Sequence, residues 1–378
     1  MSRKKTEEKG MTYASSGVDI EEEGKAIREL VSALSFKRKG FGGAVDLSGH
    51  FTGLIDIGDS YLSMCTDGVG SKLEIARELE KWDTVGIDCM AMNVNDMICI
   101  GAEPLAFVDY IALEEPSARI LSEIGKGLNE GARLSNLTII GGETATLPDI
   151  VHGLDLAGTC LGIVPKDRVI TGREVSPGDL IIGLPSSGLH SNGFTLVRRV
   201  VRDAELSYIS PLEEIVGSTD WMRHTRFPHY RKEVEEWARE EGSIVLGELL
   251  LEPTTIYVKP VLELLKEVDP GAVKGMANIT GGGIRNLSRL GPDLLYKLNS
   301  MPPVPKVFRL VQVLGAIDEK EMYQTFNMGL GMALIIRPEY REEVLDLLSG
   351  SGASVIGRVE MGRGVEMPEL ELHFEGYV

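Results

Sequence analysis

From residue 66 to residue 72 the chain reads Thr-Asp-Gly-Val-Gly-Ser-Lys, an acid, two glycines, a hydroxyl and a lysine in one turn. An apolar run precedes it (Tyr61, Leu62, Met64) and a helically spaced one follows (Leu73, Ile75, Ala76, Leu79), so strand, turn and helix are expected in that order. Backbone amides at Gly68, Gly70 and Ser71 can face an anion at the start of such a helix, and Lys72 can neutralise it. Asp67 cannot bind a phosphate directly and therefore implies a metal between the two. A plain glycine turn has the same composition, and the spacing of a Walker A loop occurs nowhere in the chain.

Further along, residues 86 to 100 are mostly apolar yet carry Asp88, Asn95 and Asp96. At about 100° per residue, Asp88 and Asn95 fall within about 20° of each other around a helix axis and share a face. A carboxylate on a buried helix costs several kcal/mol unless it is paired or holds a cation. Magnesium ligation by Asp96, supported by Asn95 and acting with Asp67, fits the oxygen donors that ion prefers; a helix cap or an internal hydrogen bond is the other reading. Gly141-Gly142-Glu143-Thr144 follows a short buried strand expected over 137–140, so Glu143 would emerge at a strand end, with a solvated loop acid as the alternative. Ser191 and Asn192 are good cap types for a helix expected over 194–203, and that helix end could receive a phosphate ester. His190 beside them could donate a hydrogen bond or move a proton near neutral pH, or be structural. Thr280-Gly281-Gly282-Gly283 again puts bare amides before a helix expected to run to about Leu290, and Gly40-Phe41-Gly42-Gly43 is a further glycine loop. No Ser-His-Asp or Cys-His set and no zinc motif stands out. The inventory suits phosphoryl transfer by positioning and charge neutralisation.

The elements that must hold these residues follow from periodicity. Helices are expected over 19–34, 84–100, 117–132 and 256–268, and strands over 54–57, 61–64, 107–112, 156–164 and 180–184. Charged and turn-forming residues gather near 165–178, which places a domain boundary at 168/169 after an N-terminal domain from residue 11. Residues 205–241, with Trp221, His224 and Trp237, are less regular and suggest an inserted helical excursion. At 378 residues the chain suffices for two domains. Its net charge of -18 opposes general nucleic-acid binding. Cys65, Cys89, Cys99 and Cys160 lie in apolar segments without metal-ligand spacing, which fits buried reduced thiols in a cytoplasmic protein. No apolar run approaches a membrane-spanning length, and residues 1–10 are too charged for a signal peptide and suggest a disordered leader.

Taken in order, these segments resemble the phosphoribosylformylglycinamidine cyclo-ligase (aminoimidazole ribonucleotide synthetase) family. The likeness runs from about Thr12 to about Gly357. It includes Thr12-Tyr13 with Gly17-Val18-Asp19, residues 66–72, Gly86-Ile87-Asp88, Asn93-Val94-Asn95-Asp96, Gly101-Ala102-Glu103-Pro104 and Gly141 to Thr144 with Pro148. It continues through His190-Ser191-Asn192-Gly193, Pro253-Thr254, Thr280 to Gly283, and Glu321-Met322 with Thr325-Phe326-Asn327. The resemblance implies an α+β, two-domain ATP-binding synthetase fold. Its N-terminal domain pairs into a barrel across a homodimer, and an α/β sandwich-like C-terminal domain packs alongside. It also implies ATP and Mg2+, with a K+ requirement left open, and ring closure of formylglycinamidine ribonucleotide to aminoimidazole ribonucleotide in purine biosynthesis. Mapped here, the loop Gly40, Gly42 and Gly43 would cover ATP, Asp67 and Asp96 would organise magnesium, and Lys72 would neutralise phosphate. Glu143, His190, Ser191 and Asn192 would serve the ribonucleotide. The chain departs from the family at Asn278, where histidine is usual, and at Thr255, where arginine is usual. Other enzymes of the same scaffold, or a non-catalytic nucleotide-binding paralogue, are the alternatives.

Overall fold

The computed structural model describes residues 10–13, 20–47, 49–218 and 227–376. Most of the expected leader, the motif residues Gly17, Val18 and Asp19, and Trp221 and His224 lie outside the described residues. Two sheets organise the rest. The first holds β1 (Gly43–Val45), β2 (Gly53–Asp56), β3 (Ser60–Gly68), β4 (Glu103–Leu113), β5 (Thr138–Thr146) and β6 (Leu154–Pro165), in the order β1-β2-β3-β6-β4-β5. Along β6 the side chains of Leu154, Leu156, Cys160 and Val164 are buried, and those between them are more open. That two-residue alternation gives the sheet one covered face.

The cover is a helical pair. After α1 (Ile20–Ala33) and the short α2 (Leu73–Glu78), α3 (Val85–Ile98) is apolar nearly all round and so is buried nearly all round. Behind it lies α4 (Ala118–Ser135), begun by Ser117, whose hydroxyl accepts from Ile120 N, and ended by a left-handed Asn136. The two helices touch backbone to backbone. A Cβ on Gly86 would stand 2.4 Å from Leu128 N, and one on Gly127 would stand 2.4 Å from Asp83 O.

A second sheet begins after a stretch without strand. Its strands are β7 (Leu180–Pro185), β8 (Val273–Asn278), β9 (Leu294–Leu298), β10 (Leu330–Ile336), β11 (Ser354–Met361), β12 (Gly364–Met367) and β13 (Leu372–Phe374), ordered β13-β12-β9-β11-β7-β10-β8. Every residue of β10 is buried, which explains its unbroken apolar run. The helices α5 (Phe194–Asp203), α6 (Leu212–Gly217), α7 (Pro228–Glu241), α8 (Leu246–Leu250), α9 (Val258–Glu267), α10 (Lys306–Gly315), α11 (Glu319–Thr325) and α12 (Arg341–Leu347) accompany this sheet. Within the 205–241 excursion, α7 packs on α10 through buried Val234 and Ala238, and the Arg309 guanidinium lies 4.2 Å from the Tyr230 ring centroid.

Two expectations are corrected. The strand expected over 137–140 extends to Thr146 and is exposed, because β5 is an edge strand paired only with β4. Gly141 and Gly142 therefore sit inside a strand, and Gly142 lacks a side chain where a Cβ would meet the Asp109 carboxylate at 2.5 Å. Beyond Thr280 the helix is a 3-10 stretch, Gly283–Leu290. Along α1 and just after it, Ile27, Leu30, Val31 and Leu34 are all more than half exposed, so among the described residues this apolar stripe is uncovered.

Candidate functional site

β3 carries Asp67 one residue before its end, inside the strand and not in the expected turn, and α3 delivers Asp96 near its C-terminal end. The carboxylates lie close enough to repel: Asp67 helps to raise Asp96. Burial pushes Asp96 up to about 7, and the Asn278 amide and the Arg289 charge oppose it. Burial also raises Asp67, against a hydrogen bond from Gly68 N to its Oδ1 at 2.7 Å. Two half-buried carboxylates that repel each other form a site a divalent cation would relieve. Both donors are carboxylate oxygens, one or two of which are what magnesium takes while leaving its remaining positions to phosphates and water; among the described residues no group of three or more histidines, cysteines and acids gathers as a metal cage.

The second half of the chain brings its loops to the same place. Asn278, at the end of β8, donates from Nδ2 to Asp96 Oδ1 at 2.8 Å. The Thr280–Gly283 turn follows directly, its carbonyls gathered by the Asn286 amide. Gly283 has φ +58, and a Cβ there would lie 2.1 Å from Tyr323 O, so only glycine fits. A Cβ on Gly281 would come within 3.4 Å of Asn192 Oδ1, which places the 190–193 loop against this turn. The Nδ2 of Asn192 is buried without a hydrogen-bond partner. Such a donor is costly unless a ligand accepts from it. Ser191 Oγ lies 3.3 Å from Thr254 Oγ1, and Ser71 Oγ lies 3.2 Å from Thr195 Oγ1.

Behind this surface is a buried polar seam between the two halves. Lys72 is fully buried and spends its ammonium on Asp88 Oδ2 at 2.8 Å, Glu252 O at 2.8 Å and His190 O at 3.0 Å. Burial pulls it below the usual lysine range, and Asp88 pulls it back. The other Asp88 oxygen accepts from Thr254 N at 2.8 Å and Thr254 Oγ1 at 2.6 Å. About two turns further along the same helical face, Asn95 donates to Thr255 O at 2.8 Å and accepts from Tyr257 N at 3.0 Å.

The geometry therefore divides the candidate residues. Neighbouring pairs link Asp67 with Asp96, Asp96 with Asn278 before the Thr280–Gly283 turn, that turn with Asn192, and Ser71 with Thr195 just past Ser191, so these residues and Gly68 and Gly70 lie where the two halves meet. Lys72 has no donor left for a phosphate, and Asn95 has neither end free for a metal; the shared face of Asp88 and Asn95 serves the other domain. His190 is also corrected as a proton carrier. It is 2% exposed, and burial, with the nearby Lys72 charge, lowers its imidazole to about 3. Glu143 lies on the exposed edge strand opposite Tyr110. The loop at Gly40, Gly42 and Gly43 is remote as well: Gly43 pairs with Asp56 and Asp56 with Tyr61, and β3 rises ~20 Å from there to residue 67. One acid escaped the sequence reading. Asp109 and Asp67 both flank Gly158 across β6, and burial raises the Asp109 carboxyl. A charge inside the apolar run Phe107 to Ala112 was the available signal.

This two-sheet architecture recurs in solved structures whose sequences have diverged. A structure described as AaThiL complexed with AMPPCP and TMP has a TM-score of 0.57 at 13% identity, covering 95% of this chain and 98% of that one. The hydrogenase maturation protein HypE in complex with ATP has a TM-score of 0.54 at 18% identity, covering 84% of each chain. At the level of sequence the particular family is plain. Residues 49–164 match the model of the AIR synthase related protein N-terminal domain and residues 176–368 that of its C-terminal domain, and the chain belongs to this family. It is 46% identical over 352 residues to the phosphoribosylformylglycinamidine cyclo-ligase of Methanococcus maripaludis (strain C6), covering 93% of this chain and 92% of that protein. It is 44% identical over 365 residues to the enzyme of the same name from Methanococcoides burtonii, covering 97% and 99%.

Proposed function

We propose that the chain is an ATP-dependent cyclo-ligase that converts formylglycinamidine ribonucleotide to aminoimidazole ribonucleotide, with release of ADP and phosphate, in purine biosynthesis. The observation that carries this reading is the meeting of Asp67 and Asp96, from separate elements, beside two glycine-bearing loops of the other domain. An amide oxygen is a poor leaving group. Transfer of the terminal phosphoryl group of ATP to that oxygen forms a P–O bond and releases ADP. An amidine nitrogen then attacks the same carbon, the oxygen departs with inorganic phosphate, and loss of a proton leaves the imidazole.

The residues present fit magnesium, and Asp67 and Asp96 would hold it. When bound it supplies positive charge to phosphate oxygens. The Gly70 amide with the Ser71 hydroxyl would line the nucleotide side, while the Gly68 amide is held by Asp67 Oδ1. The unpartnered Asn192 Nδ2 and the Ser191 hydroxyl, beside the Thr280–Gly283 turn, suit the phosphate of the ribonucleotide. The buried, neutral His190 supports the loop and leaves proton movement to groups at the surface of the cleft.

The outer face of the first sheet supports a homodimer. Met64, Leu105, Val108, Tyr110 and Ile140 are exposed on β3, β4 and β5, and β5 offers an open edge. Such a surface is normally covered, and pairing two copies into a barrel would cover it. The glycine loop, distant from Asp67 in its own chain, would then reach a nucleotide held by the partner copy. Four free thiols suit a cytoplasmic enzyme. Among the described residues, no helix is long and apolar enough to cross a membrane.

The test uses purified protein with ATP, magnesium and formylglycinamidine ribonucleotide, following ADP and aminoimidazole ribonucleotide together. Ring closure matched by ADP release is expected. Tight ATP binding without turnover would instead mark a non-catalytic paralogue, and turnover only with another acceptor would mark a different enzyme of this scaffold.

A further inference from the structure

We infer that Lys72 and Asp88 form a positioning device, which sets the 190–193 loop and the 252–257 segment in register with Asp67 and Asp96 and so fixes affinity for the ribonucleotide. This rests on the cyclo-ligase reading and deepens it by assigning the buried pair a task within that site.

Three features of the seam support a positioning role beyond general stability. First, every strong group of the pair points across the domain boundary. Two of the Lys72 acceptors are the carbonyls of His190 and Glu252, and both donors to Asp88 Oδ1 belong to Thr254. Second, the carbonyl that Lys72 holds belongs to a residue with φ +61, a backbone region that costs a residue other than glycine energy unless its surroundings enforce it. Third, the chain of contacts ends on residues facing the cleft: Thr254 Oγ1 meets Ser191 Oγ, and Asn192 follows at once. The ammonium thus aims a loop through its backbone while standing outside the reacting groups.

Removing one charge alone would strand the other in the interior and could unfold the protein. The working variant is therefore the neutral double replacement Lys72→Met with Asp88→Asn. Thr254→Val is its companion, cutting the link to Ser191 and one hydrogen bond to Asp88 while keeping the Lys72–Asp88 ion pair and the Thr254 N bond. In both, KM for formylglycinamidine ribonucleotide should rise about tenfold or more while the Kd for ATP, measured by equilibrium binding, changes less than about twofold. Hydrogen exchange of peptides covering residues 186–193 and 252–257 should quicken, with β7 unchanged. A folded double variant with unaltered KM, or with ribonucleotide and ATP affinities falling together, overturns the inference. If the wild-type protein turns over no ribonucleotide, the functional reading fails. Hydrogen exchange still judges the positioning claim in that case, and unchanged exchange in both segments refutes it.

Discussion

Acid should weaken this protein through a histidine that never titrates in its folded form. The His190 imidazole is lowered from 6.5 to about 3 by burial first and by Lys72 second. Between those two values the unfolded chain binds a proton that the folded chain refuses, so stability is complete above pH 6.5 and falls as pH falls toward 3. At pH 5 the loss from this one group is about 2 kcal/mol, from 1.5 units below the free value at 1.36 kcal/mol each. His50, lowered to about 4 by burial and Arg289, adds a loss of the same sign, so the comparison must isolate His190. His190→Asn does so, because asparagine tolerates the left-handed backbone at this position. It sacrifices ring packing near Tyr257, whose centroid lies 6.4 Å away, but that cost does not depend on pH. Denaturant unfolding at pH 5 and pH 8 should show the stability gap narrowing by about 2 kcal/mol in the variant relative to the wild type. An imidazole resonance assigned to His190 that titrates near pH 6.5, or an equal gap in the two proteins, refutes the reasoning.

Other outcomes follow from neighbouring features. Asp96→Asn should lower turnover by at least about tenfold at saturating magnesium, since a ligand of the ion is lost; an unchanged rate in a folded variant removes Asp96 from the site. Asn278→Leu deletes the hydrogen bond that orients Asp96 and should raise the magnesium concentration for half-maximal activity about tenfold or more, read from a metal titration. Gly86→Ala forces a methyl against the Leu128 backbone, where neither helix can yield, and should destabilise the fold by about 2–3 kcal/mol in thermal or chemical unfolding. Tyr110→Arg, on the bare face of the first sheet, should shift sedimentation from dimer to monomer if that face is the interface.

Much of the helical framework was legible because burial imposes periodicity. The stretch 84–100 is apolar enough to demand an interior helix, and the helix expected over 194–203 coincides with α5. The common face of Asp88 and Asn95 followed from helical geometry, but not what it faces: a carboxylate that grips a partner loop and one that grips a metal have the same sequence signature. Lys72 was misleading for a related reason. A lysine after a glycine turn has the composition of a phosphate site whether its ammonium points out to solvent or back into the protein. Only the position of the Glu252 carbonyl, far away in sequence, decides between them. β5 was cut short because its glycines look like a loop; the Asp109 carboxylate on the neighbouring strand accounts for Gly142, whereas a Cβ on Gly141 would meet nothing. Asp109 itself was missed because a single acid in an apolar run gives no spacing to interpret.

A single rigid rod, α3, carries Asp88 and Asn95, which moor the far domain, and Asp96, which faces the cleft. With its neighbour α4 pressed so close that a methyl group would not pass between them, the rod has little freedom to flex locally. The moorings can therefore slacken without bending the rod. What drifts then is the far domain's loops, past acids that keep their station.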